Sequence, residues 1–420
     1  MNFRPNPLLY GAHEDFLSSF KLVVTMRDKV DHALLTKAVN SAIKRYPYFS
    51  VSPQKNGDSI LLRFNEAPVP VFEDGRCVVL GTEECHGHLL CFGCEDRRIL
   101  LHASHFIADG MGISPLLMSV LYLYISEKYG TDGLDSRRIL MPGDPVSDDE
   151  YAYPFPEEAV LKDDGEAQEI SPESVYSLDE TAFDSQGLYA YHLRIPQIAM
   201  MDVANPSDGS PVSFLSVMLF RALCALDENI DKPVIAHVQH QYRAAINAPR
   251  NRHSLVSYVP IELSPAIKDR RVELQNTIIR GQIILGSEVE DDLRAIDRLV
   301  SVFPKGKCLS LAEKQLAMRQ YIENSIRPKT FGISYMGKIS WSGMDRYIED
   351  LHAYIGEKST PNMLLMEIMT VGEYFSVNIM QGGRGTRYVN AFMEQLERFD
   401  IPVSLVGEER YTLCNTRIPQ

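Results

Sequence analysis

The stretch RILLHASHFIADGMG, Arg98 to Gly112, concentrates the residue types that could do chemistry. An apolar run leads into His105. Three residues separate it from Asp109 and Gly110, and a helical pattern follows. A histidine at the end of a buried strand can hold one ring nitrogen toward a cavity. An imidazole neutral near pH 7 is suited to take a proton from an alcohol or amine. Gly110 allows a tight turn and close backbone approach. Asp109 could bond an arginine elsewhere and pin that turn. His102 lies three residues before His105, so on a strand the two point to opposite faces. It reads as a sheet histidine outside the site.

Other groupings are weaker. Cys85, His86, His88, Cys91 and Cys94 include a CxxC pair, and thiolates with imidazoles are zinc ligands. Leu89, Leu90 and Phe92 interleave with them, so the segment reads as a packed strand and no metal is expected. Gln381 to Arg387 is a glycine-rich turn into a helix. Its backbone N–H groups, with Arg384 and Arg387, could hold a phosphate, although a plain strand-to-helix turn fits better. His237, His240 and His253 read as structural, and Met363, Met366 and Met369 as core.

The elements that must position these groups follow from periodicity. Within Asp31 to Ser50 a helix comes first, carried by Leu34, Leu35, Ala38, Val39, Ala42 and Ile43 and ended by Pro47. Strand-like runs follow at Ser59–Phe64, Cys77–Leu80, His88–Cys94 and Arg98–His105, the last two joined as a hairpin at Glu95-Asp96. Ile113–Tyr129 reads as a helix. After a proline-rich acidic stretch come a strand at Gly187–Ile195, a helix at Pro211–Leu226 capped by Ser210 and a strand at Val234–Gln241. Helices are expected at Leu274–Gly286, Glu290–Phe303, Lys314–Ile326 and Tyr388–Phe399. Strands are expected at Thr330–Tyr335, Gly372–Met380 and Ile401–Val406. The class is mixed α/β with two lobes, 1–140 and 187–420, joined by an acidic crossover at 141–186. Its run Asp144 to Glu158 reads as solvated and mobile.

Composition narrows the function classes. The 420 residues are 45% hydrophobic and 23% charged, with a net charge of −14. That is ample material for a large core and excludes collagen-like and largely disordered chains. So acidic a protein is a poor nucleic-acid binder. No apolar run approaches the ~18 residues that span a bilayer. The start MNFRPNPLLYGAHEDF lacks a signal-peptide pattern, so with seven cysteines reduced thiols in a cytoplasm are expected.

His105-Phe106-Ile107-Ala108-Asp109-Gly110 resembles the HHxxxDG motif of the CoA-dependent acyltransferase superfamily, which includes chloramphenicol acetyltransferase, alcohol acetyltransferases and condensation domains. Four further segments resemble family landmarks in the family's order. These are AVNSAIKRYPYFSV from Ala38, PVSFLSVMLFRALCAL from Pro211, VIAHVQHQYR from Val234 and FGISYMGKI from Phe331. The resemblance implies two chloramphenicol-acetyltransferase-like lobes, each a mixed sheet with helices, and an active-site tunnel at their interface. A crossover would swap a strand between the lobes, and a monomer could hold the complete site.

In the implied site His105 is the general base, Asp109 pairs with Arg243 to hold the loop, and Gly110 fills the motif glycine. Ser334 stands near the developing oxyanion. Ser104 replaces the motif's first histidine, Tyr335 replaces its asparagine after the serine, and the plant-type DFGWG is absent. The implied co-substrate is acyl-CoA, or an acyl-phosphopantetheine on an acyl or peptidyl carrier protein, with an alcohol or amine acceptor and no bound cofactor. Arg384 and Arg387 would be phosphate contacts. Arg243, Arg250 and Arg252 could form a basic patch for a carrier. The alternatives are condensation-type transfer from a carrier and a non-catalytic binding protein on the same scaffold.

Overall fold

The computed structural model describes residues 2–13, 18–161, 171–183, 186–325, 329–356 and 363–419. The first half lays down β1 (Asn2–Phe3), β2 (Ser19–Met26), α1 (His32–Ala42), β3 (Val51–Asn56), β4 (Ser59–Phe64), β5 (Val71–Phe72), β6 (Leu90–Glu95), β7 (Arg98–Ser104) and α2 (Gly110–Tyr129). The second half begins with β8 (Gln186–Pro196), α3 (Gln197–Ala204), α4 (Pro211–Leu226), β9 (Val234–Gln241), β10 (Val256–Leu263), α5 (Val272–Leu285), α6 (Val289–Val300) and α7 (Leu311–Ser325). It ends with β11 (Phe331–Lys338), β12 (Ile348–Tyr354), β13 (Leu364–Val371), β14 (Tyr374–Gly383), α8 (Arg387–Glu397) and β15 (Ser404–Tyr411).

Two sheets dominate. The first runs β12-β2-β7-β6-β5 and the second β10-β9-β11-β13-β14-β8-β15; a small sheet β1-β4-β3 flanks the first. Helices α1 and α2 cover one face of the first sheet through Leu35, Val39, Leu117 and Leu121 against Phe20, Leu22, Phe92 and Leu101. Helices α4 and α8 cover the second through Phe214, Met218, Val389 and Phe392 against Tyr191, Ile368 and Ile379. The sheets' other faces meet at Val23, Leu100, Ala190, Tyr354, Leu365 and Met380. The exchanged strand is β12, which leaves the second half of the chain to pair antiparallel with β2.

Local chemistry fixes the helix ends. Asp31 accepts the Leu34 N–H at 3.0 Å. Ser210 accepts the Ser213 N–H, with Pro211 opening α4 as expected. The hairpin between β6 and β7 turns at Asp96, whose φ is 50°.

Several expectations change. Cys77–Leu80 is no strand; Leu80 alone forms a bridge, with Thr416. Helix α2 starts three residues before Ile113, because Asp109 caps it. Met363, Met366 and Met369 are core, but they fall into three different clusters, Met363 just before β13 and the other two on it. Ile326 lies outside the described residues. The acidic crossover is not solvated throughout: Glu150 is fully buried, accepting from Arg45 Nη2 at 2.7 Å and Tyr48 Oη at 2.6 Å. No single helix among the described residues is long and apolar enough to cross a membrane; α3 and α4 pass a length test only as a pair bent by 87°.

Candidate active site

His105 follows the last residue of β7, where the chain leaves the sheet. Its N–H donates to the Ser18 carbonyl at 2.7 Å, continuing the β2–β7 pairing by one residue. Its ring packs edge-on against Phe20 at 5.1 Å. Nδ1 lies 3.1 Å from Ser254 Oγ, a residue of the second lobe. With Nδ1 held at Ser254, Nε2 is the ring nitrogen left to act as acceptor. Burial pushes the imidazole pKa down, partly offset by the Asp109 charge. The side chain remains partly exposed. His105 is therefore neutral at physiological pH and has one basic nitrogen.

Asp109 turns away from His105 and organises the loop. Its Oδ1 accepts from the Gly112 N–H at 2.7 Å and from Arg243 Nη2 at 2.9 Å. Its Oδ2 accepts from the Leu255 N–H at 2.9 Å and pairs with Arg243 Nη1 at 2.8 Å. Both residues are buried. Arg243 also donates to the Asn251 and His253 carbonyls. One ion pair thus ties the N-terminus of α2 to the 251–255 loop that carries Ser254.

The structure brings His105, Asp109 and Arg243 together as the resemblance implies. Arg243 is consumed by this pair, so it is no part of an exposed basic patch with Arg250 and Arg252. Gly110 opens α2 with its Cα facing Met336 of β11; an added Cβ would lie 2.8 Å from the Met336 methyl. The stricter glycine is Gly112, where a Cβ would strike the Arg252 carbonyl. Ser104 is fully buried, and its Oγ accepts from Thr416 Oγ1 at 3.1 Å. Where the motif has a histidine, this chain ties down its C-terminal tail.

Ser334 lies on β11, on the same face as Met336, and directly opposite Glu367 of β13. It is hydrogen-bonded to Glu367, whose carboxyl is fully enclosed and pushed up to about 8 by burial. Tyr335 points the other way, toward Phe375, with its hydroxyl 2.9 Å from Thr370 Oγ1. Arg384 pairs with Glu408 and Arg387 with Asp179, each through a 2.6–2.7 Å contact. Neither is brought to His105 by any of these contacts.

The CxxC segment is a packed strand. Cys91 and Cys94 fall into different apolar clusters on opposite faces of β6. His86 Nδ1 and His88 Nε2 bond the carbonyls of Pro68 and Ala67. His240 faces Asp292 at 3.2 Å. His253 bonds the Tyr151 carbonyl, and burial holds its pKa near 4. A narrow cleft of about 20 Å³ reaches Ile107 and His253, chain neighbours of His105 and Ser254. Sequence reasoning missed Ser254, Gly112 and Glu367. The first two lie beyond the motif, and a lone glutamate in an apolar run carries no pattern of its own.

No family profile matches this sequence, and no curated protein matches it. Solved structures do. Polyketide synthase associated protein 5 from Mycobacterium tuberculosis aligns with a TM-score of 0.61 at 12% identity, over 94% of this chain and 96% of its own. TRI101 of F. sporotrichioides, solved with coenzyme A and T-2, aligns with a TM-score of 0.62 at 9% identity, over 97% and 100%. The epimerization domain of the third module of tyrocidine synthetase B gives 0.59 at 10%, over 95% of each chain. The fold is the two-lobed one shared by CoA-dependent acyltransferases and condensation-type domains.

Proposed function

We propose that this chain is an acyltransferase that moves an acyl group from a thioester, with acyl-CoA as the donor, to an alcohol or amine. The observation that carries the reading is His105. It stands at the seam of the lobes, neutral, with Nδ1 held and Nε2 available. The acceptor O–H or N–H gives its proton to Nε2 as its heteroatom attacks the thioester carbonyl. The tetrahedral intermediate then collapses, the C–S bond breaks, and the thiolate takes the proton back from Nε2. A tunnel between the lobes would deliver donor and acceptor from opposite sides. A positioned base of this kind contributes roughly 10²–10⁴ in rate.

Glu367 gives Ser334 a defined part in this scheme. Burial keeps the Glu367 carboxyl protonated to about pH 8, whereas its ionised form would accept the Ser334 O–H. Below that pH the serine O–H is free to donate to the oxyanion. Preorganised donors in a dry site are worth roughly 3–4 kcal/mol.

The test is thiol release from acetyl-CoA and longer acyl-CoAs against a pool of alcohols and amines, for wild type and His105→Ala in parallel. Acceptor-dependent release that disappears in the variant supports the reading. Undiminished release by His105→Ala would sink the mechanism. No release with any pair would favour a carrier-bound donor or a binding scaffold.

A further inference from the structure

The sheet face opposite α1 and α2 holds a second cluster of reactive side chains. Cys77 Sγ, a His102 ring nitrogen and Cys414 Sγ lie within 4.8 Å of one another. His102 sits on the central strand β7 and is 1% exposed. Its ring nitrogens meet no main-chain or hydroxyl partner, and its one bond is to the Cys77 thiol. A thiol is a weak partner for a buried imidazole and leaves its second ring nitrogen unpaired.

Cys91 is the register partner of His102 on β6, so their side chains share this face. Its thiol is hydrogen-bonded to Cys414. Cys85, behind it, is occupied by donating to the Leu90 carbonyl at 3.4 Å. Cys77, His102 and Cys414 thus come together, with Cys91 beside Cys414 on the same face as a fourth donor within reach.

We propose that Cys77, Cys91, His102 and Cys414 form a structural zinc site that fastens the C-terminal tail to the catalytic strand. The donor set is a standard tetrahedral one, with Zn–S near ~2.3 Å and Zn–N near ~2.0–2.1 Å. A disulfide between two of these cysteines would leave the buried imidazole unsatisfied, whereas a dication satisfies imidazole and thiolates together.

Charge supports the assignment. Three thiolates and a dication leave one net negative charge. Lys21, the register partner of His102 on β2, is buried on the same side and can face that charge.

The tail makes the consequence local to the candidate active site. Ser19 Oγ donates to the Cys414 carbonyl, and Thr416 donates to Ser104, the residue before His105.

The experiment is metal analysis of the full chain, purified reduced and without chelator, by inductively coupled plasma mass spectrometry. About one zinc per chain is expected. Cobalt(II) exchanged into the chain should give intense tetrahedral ligand-field bands and a thiolate charge-transfer band. His102→Ala and Cys414→Ser should each lower zinc content at least about tenfold. Cys94→Ser, on the other face of β6, and the exposed Cys308→Ser should leave it unchanged. The proposal is overturned by a wild-type chain that stays metal-free after dialysis against micromolar zinc. It is equally overturned by a titration showing two of the seven thiols lost to a disulfide, or by full zinc content in a folded Cys414→Ser chain. Should Cys414→Ser fail to fold, the wild-type cobalt spectrum decides alone, since only thiolate ligation gives the charge-transfer band.

Discussion

Replacing Asp109 by Asn keeps the side-chain volume and removes one charge, which makes it a sharp probe of the loop. The carboxylate accepts three hydrogen bonds, one each from Arg243 Nη2, Gly112 and Leu255, and makes a second ion-pair contact with Arg243 Nη1. An asparagine oxygen can serve one pair of donors. Its NH₂ must then face the other pair, N–H against N–H, or be turned out of the loop. Arg243 is left as a buried cation with two carbonyls and an amide for company. Breaking a buried pair on one side costs roughly 3–5 kcal/mol.

Denaturant unfolding of the two proteins should therefore show the variant's midpoint lowered by an amount equal to about 3 kcal/mol or more at unchanged m-value. Adding Arg243→Met to Asp109→Asn should cost less than the sum of the single changes by about 1–3 kcal/mol, because the orphaned cation is gone. A folded Asp109→Asn chain should also lose activity under conditions where it stays native, since Leu255 adjoins Ser254 and Ser254 orients His105. A midpoint within about 1 kcal/mol of wild type, or full activity in the folded variant, would refute the reasoning.

Four further outcomes can be checked. Ser254→Ala should lower kcat several-fold with little change in KM, because it releases Nδ1 while leaving Nε2 in place; an unchanged kcat would remove Ser254 from the site. Gly112→Ala should destabilise by about 1–3 kcal/mol in thermal unfolding, because its Cβ would meet a main-chain carbonyl; a neutral result would show that the 251–255 loop yields. The pH–rate profile should hold its acid limb below the ordinary imidazole value of about 6.5, since burial lowers His105, and fall on the basic side near pH 8 as Glu367 ionises. Glu367→Gln should erase that basic limb. The same substitution tests linkage: the native state keeps a proton on Glu367 that the unfolded chain loses above about 4.5, so wild-type stability falls relative to the variant as pH rises from there to about 8, and a pH-independent difference would refute burial as the cause.

The mixed α/β class was legible because the long amphipathic or apolar segments carry strong periodicity, as in Pro211–Leu226 with its serine cap and leading proline. The loop that holds His105 was legible for a different reason: a motif packs His105, Asp109 and Gly110 into six residues. The structure reports what one-dimensional spacing leaves out. β2, β3, β10 and β12 escaped because strands buried on both faces, or interrupted by Pro53 and Pro260, lose the alternation that marks a strand. Ser254 and Glu367 are single residues whose meaning comes from a partner about 150 positions away or on a neighbouring strand. Glu150 was read as solvated on composition alone, and only the fold brings Arg45 and Tyr48 to it. The Cys77–His102–Cys414 grouping spans most of the chain, so a search for closely spaced ligand pairs in sequence does not find it.

The topology also constrains how substrates could reach His105. In a hinged enzyme the lobes part along an interface that few covalent or hydrogen-bonded elements cross. Here β12 belongs by sequence to the second half and by pairing to the first sheet. Ser376 and Asn378 of β14 hydrogen-bond the Leu351 and Ala353 carbonyls of β12. Arg194 of β8 bonds Asp350 at 2.7 Å, and Arg98 of β7 bonds Glu409 of β15 at 2.6 Å. Separating the lobes as rigid bodies would break these contacts together, each net bond being worth about 0.5–1.5 kcal/mol and those to charged groups about 1.5–3. Loop and side-chain movement beside Ile107 and His253 involves none of these bonds. Access to His105 is thus a matter of local opening within a locked pair of lobes. A disulfide linking β12 to β14 should leave acyl transfer intact, whereas loss of activity on cross-linking would show that the lobes must part.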